Sequence, residues 1–125
     1  MMTKYELEYT FNTSPNLLYK RLSTPEGLSE WFAEDVTLRR GKYNFVWQGR
    51  EHWAFVVQKK ANKFIRFQWE DEEDQEIYFE FRINTHELTG DVALMITDFA
   101  EEDEKGDAID LWDSQISELK RAIGL

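Results

Sequence analysis

KGDAIDLWDSQISELKRAIG, residues 105–124, places apolar side chains three and four positions apart. On a helix that spacing forms one apolar stripe, which consists here of Ile109, Trp112, Ile116, Leu119 and Ile123. Aspartates in the opening turns and Lys120–Arg121 near the end suit the helix dipole, and Gly124 can end the helix. A helix about 28 Å long whose stripe includes a tryptophan needs a large apolar surface to lie against.

The rest of the chain supplies that surface as strands in which inward and outward residues alternate. One side of each predicted strand carries, in order, Tyr5, Leu7, Tyr9 and Phe11; Tyr43, Phe45 and Trp47; Trp53, Phe55 and Val57; Ile65, Phe67 and Trp69; and Ile77, Phe79, Phe81 and Ile83. A last strand is predicted from about Leu88 to Phe99. Turn signals such as Gln48-Gly49 separate the strands and predict a meander of hairpins.

Two short helices are predicted between the first strand and the meander. Ser14 can cap the first of them, with Pro15 at its first position. Thr24-Pro25-Glu26 begins the second, which carries Leu28, Trp31 and Phe32. Antiparallel strands with helices kept to one side predict an α+β fold with a sheet of six to seven strands.

Composition limits the functions that the chain can serve. A length of 125 residues without repeats or linkers predicts a single domain over 1–125. The absence of cysteine excludes disulfides and thiolate metal sites, and a formal charge of −10 argues against nucleic acid and anionic membranes as partners. The start of the chain does not read as a signal peptide and no stretch is apolar enough for membrane insertion, so a cytoplasmic protein is expected.

Acidic residues are concentrated in two runs, Glu70–Glu76 and Glu101–Glu104. A calcium site is one reading, but neither run has the spaced oxygens and turn glycine of a calcium loop. We therefore expect solvated turns that bind no metal, or a patch that docks a basic protein partner.

Several short motifs resemble one known family. Pro15, Leu18 and Leu22, then Thr24-Pro25-Glu26-Gly27-Leu28 with Trp31 and Phe32, are similar to the opening of START-like (SRPBCC) proteins. Leu111-Trp112 and Leu119 resemble the terminal helix of one branch, the bacterial homologues of the activator of the heat-shock protein ninety ATPase. The resemblance implies a helix-grip fold, in which a curved antiparallel sheet wraps the terminal helix and can leave an apolar cavity.

The sequence departs from that branch in two places. Many relatives have a long segment between the third and fourth strands, whereas Trp47–Trp53 allows only a tight turn. Leu111 also replaces the usual glycine before the helix tryptophan, and a side chain there could fill space that a ligand would otherwise occupy.

No catalytic set is evident from the residues. His52 and His86 fall near turns and are expected at the surface, and Glu76 and Glu80 are expected on the solvated side of their strand. No nucleotide-binding glycine loop or nucleophile motif is present, so neither catalytic residues nor a cofactor are predicted.

Aromatic residues carry the functional prediction, because pockets for small molecules are mostly apolar with a few polar anchors. The candidate ligand-binding residues are Trp31, Phe32, Trp47, Trp53, Phe55, Trp69, Phe79 and Trp112, each of which could equally be plain core. The leading hypothesis is a domain that binds a hydrophobic or aromatic small molecule between the terminal helix and the sheet, without catalysis. A chaperone-cofactor-like interaction module that acts through the acidic surface is the second hypothesis, and an enzyme of the cyclase or aromatase type, as some START-like relatives are, is the third.

Overall fold

The computed structural model describes residues 1–124. Its elements, in chain order, are β1 (Met2–Phe11), α1 (Pro15–Ser23), α2 (Pro25–Leu28), β2 (Asp35–Arg39), β3 (Lys42–Trp47), β4 (Arg50–Lys60), β5 (Phe64–Trp69), β6 (Phe79–Thr85), β7 (Val92–Glu101) and α3 (Lys105–Ile123). The predicted α+β order is therefore confirmed, with β2 as a strand that the sequence reading did not separate.

All seven strands form one antiparallel sheet in the order β1-β7-β6-β5-β4-β3-β2. The first strand lies beside the last, and Tyr5 is opposite Asp98 in that pairing. A register shift between Val56 and Gln58 interrupts the pairing of β4 with β5. Such a bulge bends a strand, which suits a sheet that curves around a helix.

The terminal helix packs on the concave face of this sheet. Trp112, Ile116 and Leu119 are buried, and Ile109 and Ile123 are partly buried against the same core. Gly124 ends the helix in the left-handed conformation, with φ of 94°. The apolar stripe and its stop signal are confirmed.

The second short helix, α2, ends at Leu28, so Trp31 and Phe32 lie in the turns after it and not on it as predicted. The two short helices are held together by a close backbone contact. Thr24 accepts a hydrogen bond from the Gly27 N–H at 3.0 Å and so caps α2. A Cβ on Gly27 would lie 2.3 Å from the Lys20 carbonyl oxygen in α1, so only glycine fits there. Ser14 occupies the N-cap position of α1, but its hydroxyl donates to Asn16 instead of capping the helix.

Three strand predictions need correction. The inward set of β4 is Ala54 and Val56, because β4 pairs with β3 and β5 so that Trp53 lies opposite Asn44 and Phe55 opposite Gln68. β7 begins at Val92, and Leu88 is exposed in the preceding turn. β6 begins at Phe79, so Ile77 precedes the strand.

Candidate functional site

A pocket of about 530 Å³ opens between α3, the segment after α2 and the ends of β3 and β5. Its lining is mostly apolar and consists of Ser29, Glu30, Trp31, Phe32, Ala33, Glu34, Trp47, Trp69, Asp98, Ala108, Leu111, Trp112, Gln115 and Glu118. The size falls within the range of small-molecule pockets.

Phe32 is a buried residue of the pocket lining whose ring contacts both α3 and β3. Its ring stacks on Trp112 with centroids 5.7 Å apart and meets Trp47 edge to face at 5.1 Å. The Phe32 carbonyl accepts hydrogen bonds from Trp47 Nε1 at 2.9 Å and Gln115 Nε2 at 2.8 Å. These bonds tie the segment after α2 to both β3 and α3, so the walls of the pocket are fixed relative to one another.

Asp98 is partly buried, whereas the other carboxylates in the described lining are exposed, so its position marks the base of the pocket. Its Oδ2 accepts hydrogen bonds from Trp112 Nε1 at 3.1 Å and from the Tyr5 hydroxyl at 3.2 Å. Burial is the main cause that raises the pKa of the Asp98 carboxyl above its usual value. Burial, together with the charge of Asp98, also raises the pKa of the Tyr5 hydroxyl.

The charged lining of the pocket is acidic. Among the residues that the structure describes there, Glu30, Glu34, Asp98 and Glu118 carry carboxylates and no lysine, arginine or histidine contributes. Glu30 pairs with Arg21, and Glu118 accepts from Arg121 at 2.7 Å. Glu34 accepts from the Gln48 backbone N–H at 2.9 Å, and Asp98 likewise has only neutral donors. Within residues 1–124, neither of these two carboxylates forms a salt bridge.

The structure brings together five of the eight predicted site residues. Trp31, Phe32, Trp47, Trp69 and Trp112 line the pocket. Phe79 lies in the core beneath it, with its ring centroid 4.9 Å from that of Trp69. Trp53 and Phe55 lie on the convex face and do not line the pocket, because the pairing of β4 with β3 and β5 turns Ala54 and Val56 inward instead.

Asp98 is one of nine lining residues that sequence reasoning missed, and the one that the sequence pattern could have identified. It falls in step with Val92, Leu94 and Ile96, which are buried on the concave face of β7. A carboxylate in a row of inward apolar residues is unusual, because burying a charge is costly without a partner. The place of Asp98 in this alternating row was the sequence signal that could have identified it.

Leu111 is part of the pocket wall. Its side chain is 60% exposed and stands at the rim of the pocket, one position away from the buried stripe of α3. The leucine therefore contributes to the pocket and not to the buried core.

The expectation that Glu80 lies on a solvated face is wrong. It is buried on the convex face, where Arg66 Nε donates to it at 2.9 Å and Arg82 Nε at 3.1 Å. Glu76 is exposed, as expected. The two glutamates therefore do not form a solvated pair.

His52 and His86 are both exposed, as predicted. Most residues of the two acidic runs are exposed as well, including Asp71, Glu73 and Glu102. Within residues 1–124, no group of three or more His, Asp or Glu side chains is arranged to hold a metal ion.

An antiparallel sheet folded around a C-terminal helix, with an apolar pocket at the mouth of the grip, defines a helix-grip protein. Residues 1–125 match the model of the START-like superfamily domain. The chain belongs to this superfamily, which confirms the resemblance of its opening motifs. A search of curated proteins gives no match.

Solved structures with the same fold support this assignment. A protein of Bacteroides fragilis is 44% identical, with 99% of this chain and 93% of that chain covered and a TM-score of 0.69. The Aha1 dimer of Colwellia psychrerythraea is 20% identical over 96% of this chain and 95% of that chain, with a TM-score of 0.77. CalU16 of Micromonospora echinospora is 16% identical over 97% of this chain and 74% of that chain, with a TM-score of 0.74. The last two likenesses concern the fold alone.

One further structural finding concerns membranes. Among the helices of residues 1–124, none is both long and apolar enough to cross a bilayer.

Proposed function

We propose that this protein binds an apolar, aromatic small molecule in the pocket between α3 and the segment after α2. The observation that carries the proposal is the pocket itself, about 530 Å³ of space with four indole rings and one phenyl ring in its lining. Pockets of this kind bury most of a small ligand, and aromatic walls give large contact area at little conformational cost.

The rigidity of the walls also supports binding. The bonds from Trp47 and Gln115 to the Phe32 carbonyl hold the three sides of the pocket in place before any ligand arrives. A preformed site loses little ordering entropy on binding, so more of the contact energy is available for affinity.

Titration with an uncharged, environment-sensitive naphthalene dye tests the proposal. We expect saturable dye emission and a rise in melting temperature, since binding to the folded state stabilises it by mass action. Trp69→Ala, which removes a lining ring, should weaken binding, whereas Trp53→Ala, which removes a ring from the convex face, should not. Equal effects of the two variants, or no saturation, would reject the proposal.

A second candidate, general acid–base catalysis on a bound molecule, is favoured by one observation. Asp98 lines the pocket and burial raises the pKa of its carboxyl, as is common for catalytic acids. Mass spectrometry of a ligand recovered after incubation with the protein would distinguish catalysis from binding. Chemical conversion of the ligand by the parent, but not by Asp98→Asn, supports catalysis. Recovery of the unchanged ligand supports binding alone.

A further inference from the structure

We infer that the pocket selects a cationic aromatic ligand, an aromatic ring system that bears an ammonium group, over neutral or anionic molecules of the same shape. This inference rests on the proposed function and adds the chemical class of the ligand. Its basis is the combination of indole faces and an incompletely compensated carboxylate in one cavity.

The aromatic rings favour a cation. Trp47, Trp69 and Trp112 all contribute to the lining, and Phe32 lies between Trp47 and Trp112. The face of an aromatic ring carries partial negative charge, and indole attracts a cation within about 6 Å more strongly than the other rings do. A desolvated ammonium group in this pocket would therefore gain from several rings at once.

Asp98 supplies the formal charge. Its carboxylate accepts from the Tyr5 hydroxyl and the Trp112 indole, which are neutral donors. Burial raises the pKa of this carboxyl, which means that its ionised form is poorly stabilised by the surroundings. A ligand ammonium group at the pocket base would provide the missing opposite charge.

The remaining charges exclude anions. The other ionisable lining residues of the described chain are Glu30, Glu34 and Glu118, and none of the lining residues is basic. A carboxylate ligand such as a fatty acid would lose its hydration and face like charge at the base and at the rim. Repulsion between like charges is a common means by which a site rejects a wrong ligand.

Three naphthalenes of matched size test this selection by isothermal titration calorimetry at pH 7. They are 2-(aminomethyl)naphthalene, which is cationic, 2-naphthalenemethanol, which is neutral, and 2-naphthoate, which is anionic. We expect the amine to bind roughly tenfold or more tightly than the alcohol and the carboxylate to bind weakest.

Asp98→Asn separates the local effect from the general attraction of a protein with a formal charge of −10. The asparagine keeps an acceptor for Tyr5 and Trp112, so the ratio of the amine's affinity to the alcohol's affinity should fall from roughly tenfold toward one. Asp91→Asn is the matched control, because it removes the same charge at an exposed turn at the other end of β7.

The outcomes distinguish the two proposals. If the alcohol binds but the amine binds no more tightly, or if Asp91→Asn reduces the amine's advantage as much as Asp98→Asn, the selection for cations is wrong and ligand binding stands. If none of the three compounds binds, both proposals fail.

Discussion

Trp112 joins the terminal helix to the sheet and to the pocket, and replacing it tests that junction. The side chain is 6% exposed and stacks on Phe32, with ring centroids 5.7 Å apart. It also meets the Phe81 ring edge to face, with centroids 5.9 Å apart. Truncation of a buried tryptophan to alanine costs about 3–5 kcal/mol of unfolding free energy, since it leaves a cavity and removes these ring contacts. We expect a loss of that size for Trp112→Ala.

Trp112→Phe divides this loss into its parts. Phenylalanine keeps an apolar ring but removes the N–H that donates to Tyr5 and Asp98. Loss of a hydrogen bond to a charged group costs about 1.5–3 kcal/mol, so the phenylalanine variant should be intermediate. Urea unfolding followed by circular dichroism measures both variants.

Leu111→Ala provides the control on the same helix. Leu111 is adjacent to Trp112 but exposed, so its truncation should change the unfolding free energy by less than about 0.5 kcal/mol. The reasoning is refuted if Trp112→Ala costs less than about 1 kcal/mol, or if Leu111→Ala costs as much as Trp112→Ala.

Substitutions at Gly27, Glu80 and Asp98, and the addition of calcium, test other parts of the structure. Gly27→Ala should destabilise the fold, because the new Cβ would overlap the backbone of α1; a melting temperature equal to that of the parent would contradict this. Glu80→Gln should cost about 2 kcal/mol in urea unfolding, since two arginines lose their charged acceptor, whereas Glu76→Gln, at an exposed site, should be silent. Because the folded-state pKa of Asp98 is raised, the folded protein binds more protons than the unfolded one between the ordinary and the raised pKa. The parent should therefore lose stability relative to Asp98→Asn as the pH rises through that window, and a pH-independent difference would show that Asp98 is not desolvated. Calcium should raise the melting temperature no more than sodium at equal ionic strength, and a larger rise would reveal a metal site in the acidic runs.

Much of the fold could be predicted because single elements have one-sided patterns. The stripe of α3 leaves no doubt about its buried face, and the polar residues of β1 alternate cleanly with Tyr5, Leu7 and Phe11. β4 has no such asymmetry, since Trp53–Val57 is apolar throughout. Alternation alone cannot say which set of a continuous apolar run faces inward, and the larger residues were wrongly assigned to the inside.

The candidate site could be predicted only in part, because it depends on distances between elements far apart in sequence. Tryptophans mark an aromatic interior wherever they occur, so five of the eight predicted residues line the pocket. The partnership of Asp98 with Tyr5 arises only when β1 pairs with β7. The pocket volume depends on where the segment after α2 meets α3, and no local pattern encodes that distance.

The indole N–H signals in a two-dimensional ¹H–¹⁵N NMR spectrum report whether an aromatic molecule enters the pocket. The five tryptophans divide into Trp31, Trp47, Trp69 and Trp112 in the lining and Trp53 on the convex face. On titration with 2-naphthalenemethanol, we expect saturable shifts of signals from the lining indoles, while the Trp53 signal stays in place. Shifts confined to Trp53, or an unchanged spectrum at saturating compound, would contradict the claim that this pocket binds aromatic small molecules.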